Sequence, residues 1–356
     1  MIPKWKLARE LNRIKEQVHQ IPWFFFGGLN KFIYDRNKHQ RISIIEGKAP
    51  HSRNVAILLL FQPKGVLPST IAQLQHLESK GFAALVVSNA PLSPEDTDKL
   101  KEVSFRILLR PNFGYDFGGY RDGILHLLEN EEPPKNLIVM NDSIWLQLNK
   151  GRNPIEAAIK SEADMFGISY FTHLRKPHLS HIQSYFFRFG ERILSDPFFK
   201  DFWQTMPVSS NRYTVIRRCE MELTNAFRSR GFSISTMYND RESIRFLAKL
   251  SNFEMRDFLL YLRNMSPRYA ADLEEILSQF GDNKVWRISA ERYLSENNVV
   301  VPFIIQHPSI LLKQWGASVL KKDRKGPNKL QREEIIRLGL LSEIDAEIAE
   351  ELVAWD

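Results

Sequence analysis

The chain has 356 residues with 49 Lys and Arg against 42 Asp and Glu, 43% hydrophobic residues and one cysteine. This length predicts about two domains, and the 24 Phe and 7 Trp supply enough apolar surface to exclude a mainly disordered chain. The single cysteine excludes a disulfide scaffold, and the longest apolar run, at residues 55–61, is far shorter than the roughly 20 residues of a membrane-spanning helix.

Residues 1–50 form a basic segment with ten Lys or Arg and four Asp or Glu, which is nearly all of the chain's excess positive charge. Apolar residues at helical spacing are followed there by the aromatic run at 23–26, a pattern typical of an amphipathic helix. Such a helix either packs on its own domain or lies on an anionic membrane surface through residues 1–30. Nucleic acid is not expected as a partner, because no zinc-finger or RNA-binding spacing accompanies the charge.

The first residues are charged where a secretory signal would be apolar. This predicts a cytoplasmic protein. If residues 1–30 bind lipid, the protein is peripheral on the inner face of the plasma membrane.

Strands and helices alternate along residues 51–245. The predicted strands are 55–61, 83–88, 105–109, 137–140 and 164–170, and the predicted helices between them are 68–80, 93–103 and 119–130. Short connections between such elements predict an α/β domain with a mostly parallel sheet flanked by helices. Ligands of these sheets bind beyond the carboxyl ends of the strands, so the residues after each strand are the candidates for chemistry.

The alternation stops near residue 245, and a mainly helical region is predicted for 246–356. Segments 255–263, 269–280 and 331–355 have helical spacing, whereas 299–305 fits an edge strand because it contains Pro302. The last helix carries an apolar seam, which predicts an oligomer or a partner helix. The seam consists of Leu340, Ile344, Ile348 and Leu352.

The segment at 110–123 is rich in glycine and acids and opens a helix directly after a strand. Glycines let the backbone approach a ligand closely, and a helix N-terminus favours anions. The segment is neither a Walker A loop nor G-x-G-x-x-G, and it equally fits a tight turn in which Asp116 caps the helix.

Three further groups of residues are candidates for chemistry. Asn141-Asp142-Ser143 ends a strand, where a carboxylate is suited to a divalent cation on a diphosphate but is also an ordinary strand terminus. Glu220 begins a helix, as a functional acid or as a charge that the helix dipole favours. His181, Gln183 and Tyr185 precede an aromatic strand, and they fit either contacts to sugar hydroxyls or an ordinary polar loop.

Together these segments resemble the nucleotide-sugar glycosyltransferases of the GT-A fold. They resemble more closely the rhamnan synthesis protein F family of bacterial lipopolysaccharide and rhamnose-rich polysaccharide assembly. The family's N-x-G-x-D turn, M-N-D-S strand end and H-x-Q-S-Y-F segment stand here at 112–116, 140–143 and 181–186. The resemblance covers about residues 54–245.

The chain departs from the GT-A pattern at three places. Asn141-Asp142-Ser143 has one carboxylate where the D-x-D metal motif has two. Asn89 follows the second strand where an acidic residue is usual, and Glu220 stands in place of an aspartate.

The resemblance implies a GT-A-like domain at 51–245 that transfers a sugar, rhamnose being favoured, with inversion. The donor is a nucleoside-diphosphate sugar, and the acceptor is a lipid-linked or growing glycan of a cell-surface polysaccharide or lipopolysaccharide. The implied general base is Glu220, with Asp116 as the second candidate. The implied donor-binding residues are Phe61, Asn89, Asn112, Gly114, Tyr115, Arg121 and Asp122. Asp142, with Asn141, would hold Mg²⁺ or Mn²⁺, and the acceptor would contact His181, Gln183 and Tyr185.

Two other functions remain open. A non-catalytic glycan-binding or assembly module would keep the same scaffold with its reduced metal motif. A nucleotidyltransferase would need a glycine-rich, lysine-bearing loop after the first strand, of which residues 62–65 are only a faint trace. Binding of a nucleotide separates the transferase from the non-catalytic module.

Overall fold

The computed structural model describes residues 28–173, 176–240, 243–281 and 283–355. The stripe and aromatic run predicted within residues 1–27 lie outside the described residues. Two units divide the chain: the first holds the residues up to Asp142 and Pro154–Met237, and the second holds Ser143–Asn153 and the residues from Tyr238 onward. The sequence analysis placed this boundary near 245 and assigned 143–153 to the first domain.

The strands and helices are numbered in chain order. The strands are β1 (Ser43–Glu46), β2 (Asn54–Leu60), β3 (Ala83–Ser88), β4 (Arg106–Leu109), β5 (Asn136–Asn141), β6 (Ile144–Leu146), β7 (Met165–Phe171), β8 (His181–Ile182), β9 (Phe186–Gly190), β10 (Ile234–Asn239) and β11 (Val319–Lys321). The helices are α1 (28–41), α2 (Pro68–Ser79), α3 (Pro94–Glu102), α4 (Tyr115–Asn130), α5 (Pro154–Lys160), α6 (Glu191–Leu194), α7 (Pro197–Thr205), α8 (Arg212–Val215), α9 (Met221–Ser229), α10 (Ser243–Leu247), α11 (Asn252–Met265), α12 (Ala270–Ser278), α13 (Lys284–Glu296), α14 (Gly326–Arg337) and α15 (Ala346–Val353).

The first unit is built on a mixed sheet with a parallel centre. Its strand order within the described residues is β1-β4-β3-β2-β5-β9-β7-β10, with β8 paired to β7. Strands β4, β3, β2 and β5 run parallel, whereas β1 and β9 pair antiparallel with β4 and β5. The predicted fold class, an α/β domain with a mostly parallel sheet flanked by helices, is confirmed.

The central strands are buried because helices cover both faces of a parallel sheet. Nearly every residue of β2, β3 and β5 is buried. Beside β9, an aromatic cluster joins α4, α7 and α9 to the sheet through ring pairs whose centroids lie 5.1 to 6.4 Å apart. The cluster contains Phe117, Phe189, Phe199, Trp203 and Phe227. This packing holds the first turn of α4 and the body of α9 against the sheet, and the candidate site residues lie at the starts of these two helices.

Helix α4 packs on the sheet through glycines. A Cβ at Gly119 would lie 2.2 Å from Leu59 Cδ1, and one at Gly123 would lie 2.9 Å from Val87 Cγ2. The helix begins at Tyr115, one turn before the predicted start, and its N-cap is Gly114 rather than Asp116. The glycines at 119 and 123 therefore serve helix packing.

The second unit is mainly helical, as predicted, but two segments differ from the sequence analysis. Residues 299–305 are not a strand: Pro302 precedes a short 3₁₀ turn at Phe303–Ile305, so the prediction of an edge strand was wrong. The helix predicted at 331–355 is two helices, α14 and α15, because Gly339 takes a left-handed conformation with φ of 65°. Helix α13 was not predicted.

The apolar seam of the C-terminal region is covered by the chain itself. Leu340, Ile344, Ile348 and Leu352 are all at most 9% exposed. The seam is therefore not free to bind a partner helix, and the reason given for an oligomer through it does not hold.

Among the described residues, no helix is both long enough and apolar enough to cross a membrane.

Candidate functional site

The site lies at the carboxyl edge of the parallel strands. Phe61, Asn89, Arg110 and Asp142 directly follow β2, β3, β4 and β5, respectively. Because parallel strands end at one edge of the sheet, these four residues come together although the sequence separates them widely. Backbone hydrogen bonds connect neighbouring strand ends, from Asn89 N–H to Leu60 carbonyl at 2.8 Å and from Arg110 N–H to Ser88 carbonyl at 3.0 Å.

Asp142 is fixed between the ends of β5 and β2. Its backbone N–H donates to the Leu59 carbonyl at 3.0 Å, and its Oδ2 accepts the Phe61 N–H at 2.9 Å. The carboxylate is half-buried, and the Phe61 side chain beside it is 51% exposed. A charged, partly accessible oxygen pair at this position is suited to a cation or to a ligand hydroxyl.

Arg110 organises the loop between β4 and α4. Its buried guanidinium donates to Asp122 Oδ2 at 2.7 Å and to the Phe113 carbonyl at 2.6 Å. It also donates to Asn89 Oδ1, and the Asn89 amide in turn donates to Asn112 Oδ1 at 3.1 Å. These bonds hold the backbone of the loop and leave the Asn112 side chain at the surface. Arg110 was not among the predicted site residues.

The start of α4 is built from two consecutive residues with positive φ. Gly114 has φ of 79° and Tyr115 has φ of 50°, the latter an uncommon conformation for a residue with a side chain. A Cβ at Gly114 would lie 3.0 Å from Gly118 Cα. Tyr115 is held by its hydroxyl, which donates to the Ser210 carbonyl at 3.1 Å, and its ring is 37% exposed. The geometry presents Tyr115 beside Asn112.

The buried hydroxyl of Tyr120 experiences the charge of three carboxylates. Burial is the largest cause that raises the pKa of Tyr120 well above its usual range, and the charges of Asp116, Glu220 and Asp142 raise it further. The hydroxyl donates to the Ser184 carbonyl at 2.9 Å. Acids of α4, of the β5 end and of the turn before α9 therefore all act on the same hydroxyl.

Asn141 and Asp116 are hydrogen-bonded to each other. The Asn141 amide donates to Asp116 Oδ2 at 3.0 Å, and the Asn141 N–H donates to the Tyr185 carbonyl at 3.3 Å. Asn141 is buried whereas Asp116 is half-buried. The predicted metal pair, Asn141 and Asp142, is therefore joined directly to the second candidate base.

Glu220 is the last residue of a π-helical turn that precedes α9, a feature often found at functional sites. Its Oε1 accepts the Ser184 N–H at 3.1 Å and lies 4.0 Å from His181 Nε2. The other ring nitrogen of His181 is 2.7 Å from the Leu179 carbonyl. Because a carbonyl only accepts, this nitrogen donates, and Nε2 is the nitrogen that faces Glu220.

The segment at 181–185 contacts both Glu220 and strand β7. The Gln183 N–H donates to the Ser169 carbonyl at 3.1 Å, and Tyr185 Oη lies 2.6 Å from Ser169 Oγ. Tyr185 and His181 are only 2% and 6% exposed, whereas Gln183 is half-buried, so a ligand would reach Gln183 more readily than either ring.

Arg121 and Asp122 lie beneath the loop rather than at its surface. Arg121 forms two hydrogen bonds to Asp35, at 2.7 and 2.9 Å, and a third to the Trp203 carbonyl. Asp122 accepts from Arg110 and from Tyr34. Both side chains are at most 5% exposed, so any influence on a donor would pass through Arg110 and the loop. The partners Tyr34 and Asp35 are distant in sequence and gave no signal there.

The residues fit a cation that arrives with a substrate better than one held by the protein alone. No group of three or more His, Cys, Asp or Glu side chains arranged to hold a metal ion occurs in the described parts of the chain. Asp142 and Asp116 supply carboxylate oxygens, and Mg²⁺ is typically bound by one or two carboxylates together with substrate phosphates and water.

Comparison with known proteins found a relative in sequence and solved structures that are distantly similar. The uncharacterized protein y4gN of Sinorhizobium fredii is 37% identical over all of this chain and 93% of its own length. The mannosyltransferase PcManGT of Pyrobaculum calidifontis, solved with GDP-Man and Mn²⁺, covers 80% of this chain and 86% of its own at 8% identity, with a TM-score of 0.35. The mannosyltransferase Ktr4p of S. cerevisiae aligns with 52% of this chain over 68% of its own chain, at 8% identity and with a TM-score of 0.32. With TM-scores this low, neither structure bears on the roles of the site residues.

A match to the family described as rhamnan synthesis protein F extends over residues 84–263. This segment contains β3 to β5, α4, Glu220 and the segment at 181–185, so it includes nearly every residue of the site. The chain belongs to the rhamnan synthesis protein F family, which confirms the resemblance and the predicted enzyme class, a glycosyltransferase of polysaccharide biosynthesis.

Proposed function

We propose that the chain transfers a sugar, rhamnose being favoured, from a nucleoside-diphosphate donor to a glycan of a cell-surface polysaccharide or lipopolysaccharide, with inversion at the anomeric carbon. The observation that carries the proposal is the hydrogen-bonded group of acids at the carboxyl edge of the sheet. The Asn141 amide holds Asp116 next to the strand end that bears Asp142, and Ser184 contacts both Tyr120 and Glu220. Two of these acids suit a divalent cation on the diphosphate of a donor. The third suits the hydroxyl group of an acceptor.

The donor would lie along the strand ends. Phe61, Asn112 and Tyr115 are exposed there and offer an aromatic face, an amide and a phenol. Asn89 and Gly114 are buried and shape the loop. Asp142 and Asn141, with Asp116, would hold Mg²⁺ or Mn²⁺ on the diphosphate, and such an ion would stabilise the charge of the leaving group.

Glu220 is the proposed general base. Its Oε1 is held by the Ser184 N–H, so the carboxylate keeps its orientation while it takes the proton of the acceptor hydroxyl. The acceptor oxygen then forms a bond to the anomeric carbon, and the bond from that carbon to the diphosphate breaks on the opposite face. A positioned base typically contributes ~10²–10⁴-fold in rate. Asp116 is the second candidate for this role or for a sugar contact.

The acceptor would approach from the segment that follows β7. His181 faces Glu220 at 4.0 Å, and Gln183 is half-buried beside it. Tyr185 would support this side through its hydrogen bond to Ser169. A lipid-linked acceptor fits a cytoplasmic enzyme that associates with the inner face of the plasma membrane through residues 1–30.

A second candidate function is a non-catalytic glycan-binding or assembly module. It is favoured by Asn141-Asp142-Ser143, which has one carboxylate where a D-x-D motif has two. In that case the site would bind a glycan without a nucleotide.

Release of nucleoside diphosphate separates the two functions. The protein would be incubated with dTDP-rhamnose, UDP-glucose or GDP-mannose, a divalent cation and bacterial lipid-linked glycans. The transferase predicts release of one nucleoside diphosphate that requires the acceptor. Glycan binding without release from any donor would contradict it and would favour the module.

A further inference from the structure

Helix α1 has two faces of opposite character. Tyr34 and Asp35 point into the first unit, whereas Leu29, Phe32 and Ile33 point to solvent. In an α-helix, residues three or four apart share a face, so the last three residues form one apolar stripe. A stripe of this kind usually faces a protein core, and here it faces outward.

The inner face of α1 is bound to the network that supports the donor loop. Asp35 accepts two hydrogen bonds from Arg121, at 2.7 and 2.9 Å. Tyr34 donates to Asp122 and accepts from Arg110 at 3.1 Å. Its ring also stacks on Phe113, with the centroids 4.5 Å apart. These contacts hold α1 and the loop at 110–115 as one body.

The outer face combines apolar and cationic side chains. Leu29 is 54% exposed, Phe32 is 62% exposed and Ile33 is 44% exposed. In the part of the chain that the structure describes, no other stretch of five residues carries three exposed large apolar side chains. Arg36, four residues after Phe32, is exposed on the same face, and Arg41 is exposed at the end of the helix.

The charges of α1 are sorted between its two faces. The one acid of residues 28–41, Asp35, is paired inward with Arg121 and with Lys31. Burial would raise the pKa of Asp35, but these hydrogen bonds outweigh it and lower the pKa, which keeps the carboxylate charged. The outward face is therefore apolar and basic without an acid.

We propose that this outer face of α1 docks on an anionic membrane surface. The proposal rests on the proposed function, because a lipid-linked acceptor requires the enzyme at a membrane. Apolar side chains flanked by arginines are the pattern of a helix that lies in the interface, with the rings among the acyl chains and the cations at lipid phosphates. A second copy of the chain is a poorer occupant, because two basic faces would repel each other.

Docking through α1 would fix the position of the donor loop relative to the membrane. The contacts of Tyr34 and Asp35 leave little freedom between α1 and the loop at 110–115. The loop would therefore be held at a fixed position relative to the bilayer, where a lipid-linked acceptor is found.

The test is co-sedimentation of the whole protein with vesicles of phosphatidylglycerol and phosphatidylcholine, or of phosphatidylcholine alone, without any sugar. The variant is Leu29→Glu with Phe32→Glu. The matched control is Val285→Glu with Ile288→Glu, which also changes two exposed apolar residues three apart on a helix, with exposures of 76% and 45%.

We expect the variant on α1 to bind the anionic vesicles about tenfold more weakly or worse, because it loses two inserted apolar side chains. The control should bind like the wild type. Arg36→Gln with Arg41→Gln should weaken binding about fivefold for each charge and reduce its dependence on salt. Nucleotide titration of each variant shows that the site remains folded.

Several results would overturn the proposal. Wild-type binding by the Leu29, Phe32 variant would do so, as would equal binding to phosphatidylcholine alone. Loss of a concentration-dependent dimer in that variant, with vesicle binding unchanged, would assign the face to a second copy. Because the vesicles carry no sugar, vesicle binding without nucleotide binding would refute the proposed function while leaving the docking face intact.

Discussion

At the residue scale, the three carboxylates of the site are each held by a different donor. Asp142 accepts the Phe61 N–H, Asp116 accepts the Asn141 amide, and Glu220 accepts the Ser184 N–H. Each donor binds one oxygen, so a neutral amide side chain can replace the acid without losing the acceptor. Substitution by the amide therefore tests charge separately from structure.

Glu220→Gln should lower the rate of sugar transfer by ~10²–10⁴-fold while donor binding stays unchanged, because a glutamine cannot take the acceptor proton. Initial rates and nucleotide titration measure the two effects. The control is Glu222→Gln, an exposed acid two residues along the same helix, which should retain full activity. A Glu220→Gln enzyme within threefold of the wild type would assign the base to another residue.

The candidate residues could be predicted where a motif stands at a strand end, as at Asp142 and Asn112. The role of Arg110 was missed because it depends on partners such as Asn89 and Tyr34, which lie elsewhere in the sequence. The same holds for Asp35, whose partner Arg121 lies 86 residues away. Local spacing carries no information about such contacts.

At the element scale, the position of α4 depends on how closely it approaches β2 and β3. Gly119 and Gly123 are four residues apart and therefore face the sheet together. The sequence analysis left open whether these glycines approach a ligand or form a turn, because composition alone does not tell which surface a glycine faces. The helix also began earlier than predicted, since Gly114 and Tyr115 adopt conformations that spacing does not reveal.

Gly119→Ala should destabilise the first unit by about 1–3 kcal/mol, because the added Cβ would meet Leu59 Cδ1 at 2.2 Å. Urea unfolding measures the change. Gly28→Ala in α1 is the control: nothing lies within 4 Å of its Cβ, and alanine favours a helix by up to about 1 kcal/mol. Equal stability of the Gly119 variant and the wild type would show that α4 can move without cost.

The central strands of the first unit were predicted more accurately than the helix ends of the second unit. Buried strands such as β3 are continuous apolar runs with matching bounds. Residues 299–305 have the same apolar character but form a 3₁₀ turn after Pro302, because apolar composition does not distinguish a strand from a buried turn. Gly339 was a local signal that the helix predicted at 331–355 would be interrupted at this residue.

At the scale of the whole molecule, both units are shared with a relative. The protein y4gN aligns over all of this chain, so similarity extends to the first fifty residues and to the second unit, beyond the segment at 54–245 that carried the resemblance. The second unit has an ion-pair cluster of its own, in which Glu334 lies 2.6 Å from Arg337 and 3.5 Å from His307.

The stability of the second unit should depend on pH through Glu334. Burial raises the pKa of this carboxyl, but the hydrogen bonds of Arg337 and His307 outweigh it and lower the pKa to about 2. A pKa lowered in the folded state gives stability that is present above pH 4.5 and is lost as the pH falls towards 2. Urea unfolding between pH 5 and 2.5 should show this loss.

Glu334→Gln should cost about 1–3 kcal/mol at neutral pH, because it leaves the buried His307 without its carboxylate neighbour and removes one of the two carboxylates beside Arg337. It should also flatten the decline at low pH. Glu333→Gln, an exposed neighbour, serves as the control. An unchanged pH dependence in the Glu334 variant would assign the decline to other acids.

The measurement that bears most directly on the site is calorimetric titration of the whole protein with dTDP, UDP and GDP, with and without Mn²⁺. It would be repeated on Asp142→Asn, with Asp98→Asn as the control at an exposed acid of α3. We predict that one nucleotide binds, that Mn²⁺ strengthens this binding, and that Asp142→Asn alone weakens it about tenfold or more. If no nucleotide binds in either condition, or if Asp142→Asn binds like the wild type, the account of a nucleotide-sugar site at this edge of the sheet is wrong.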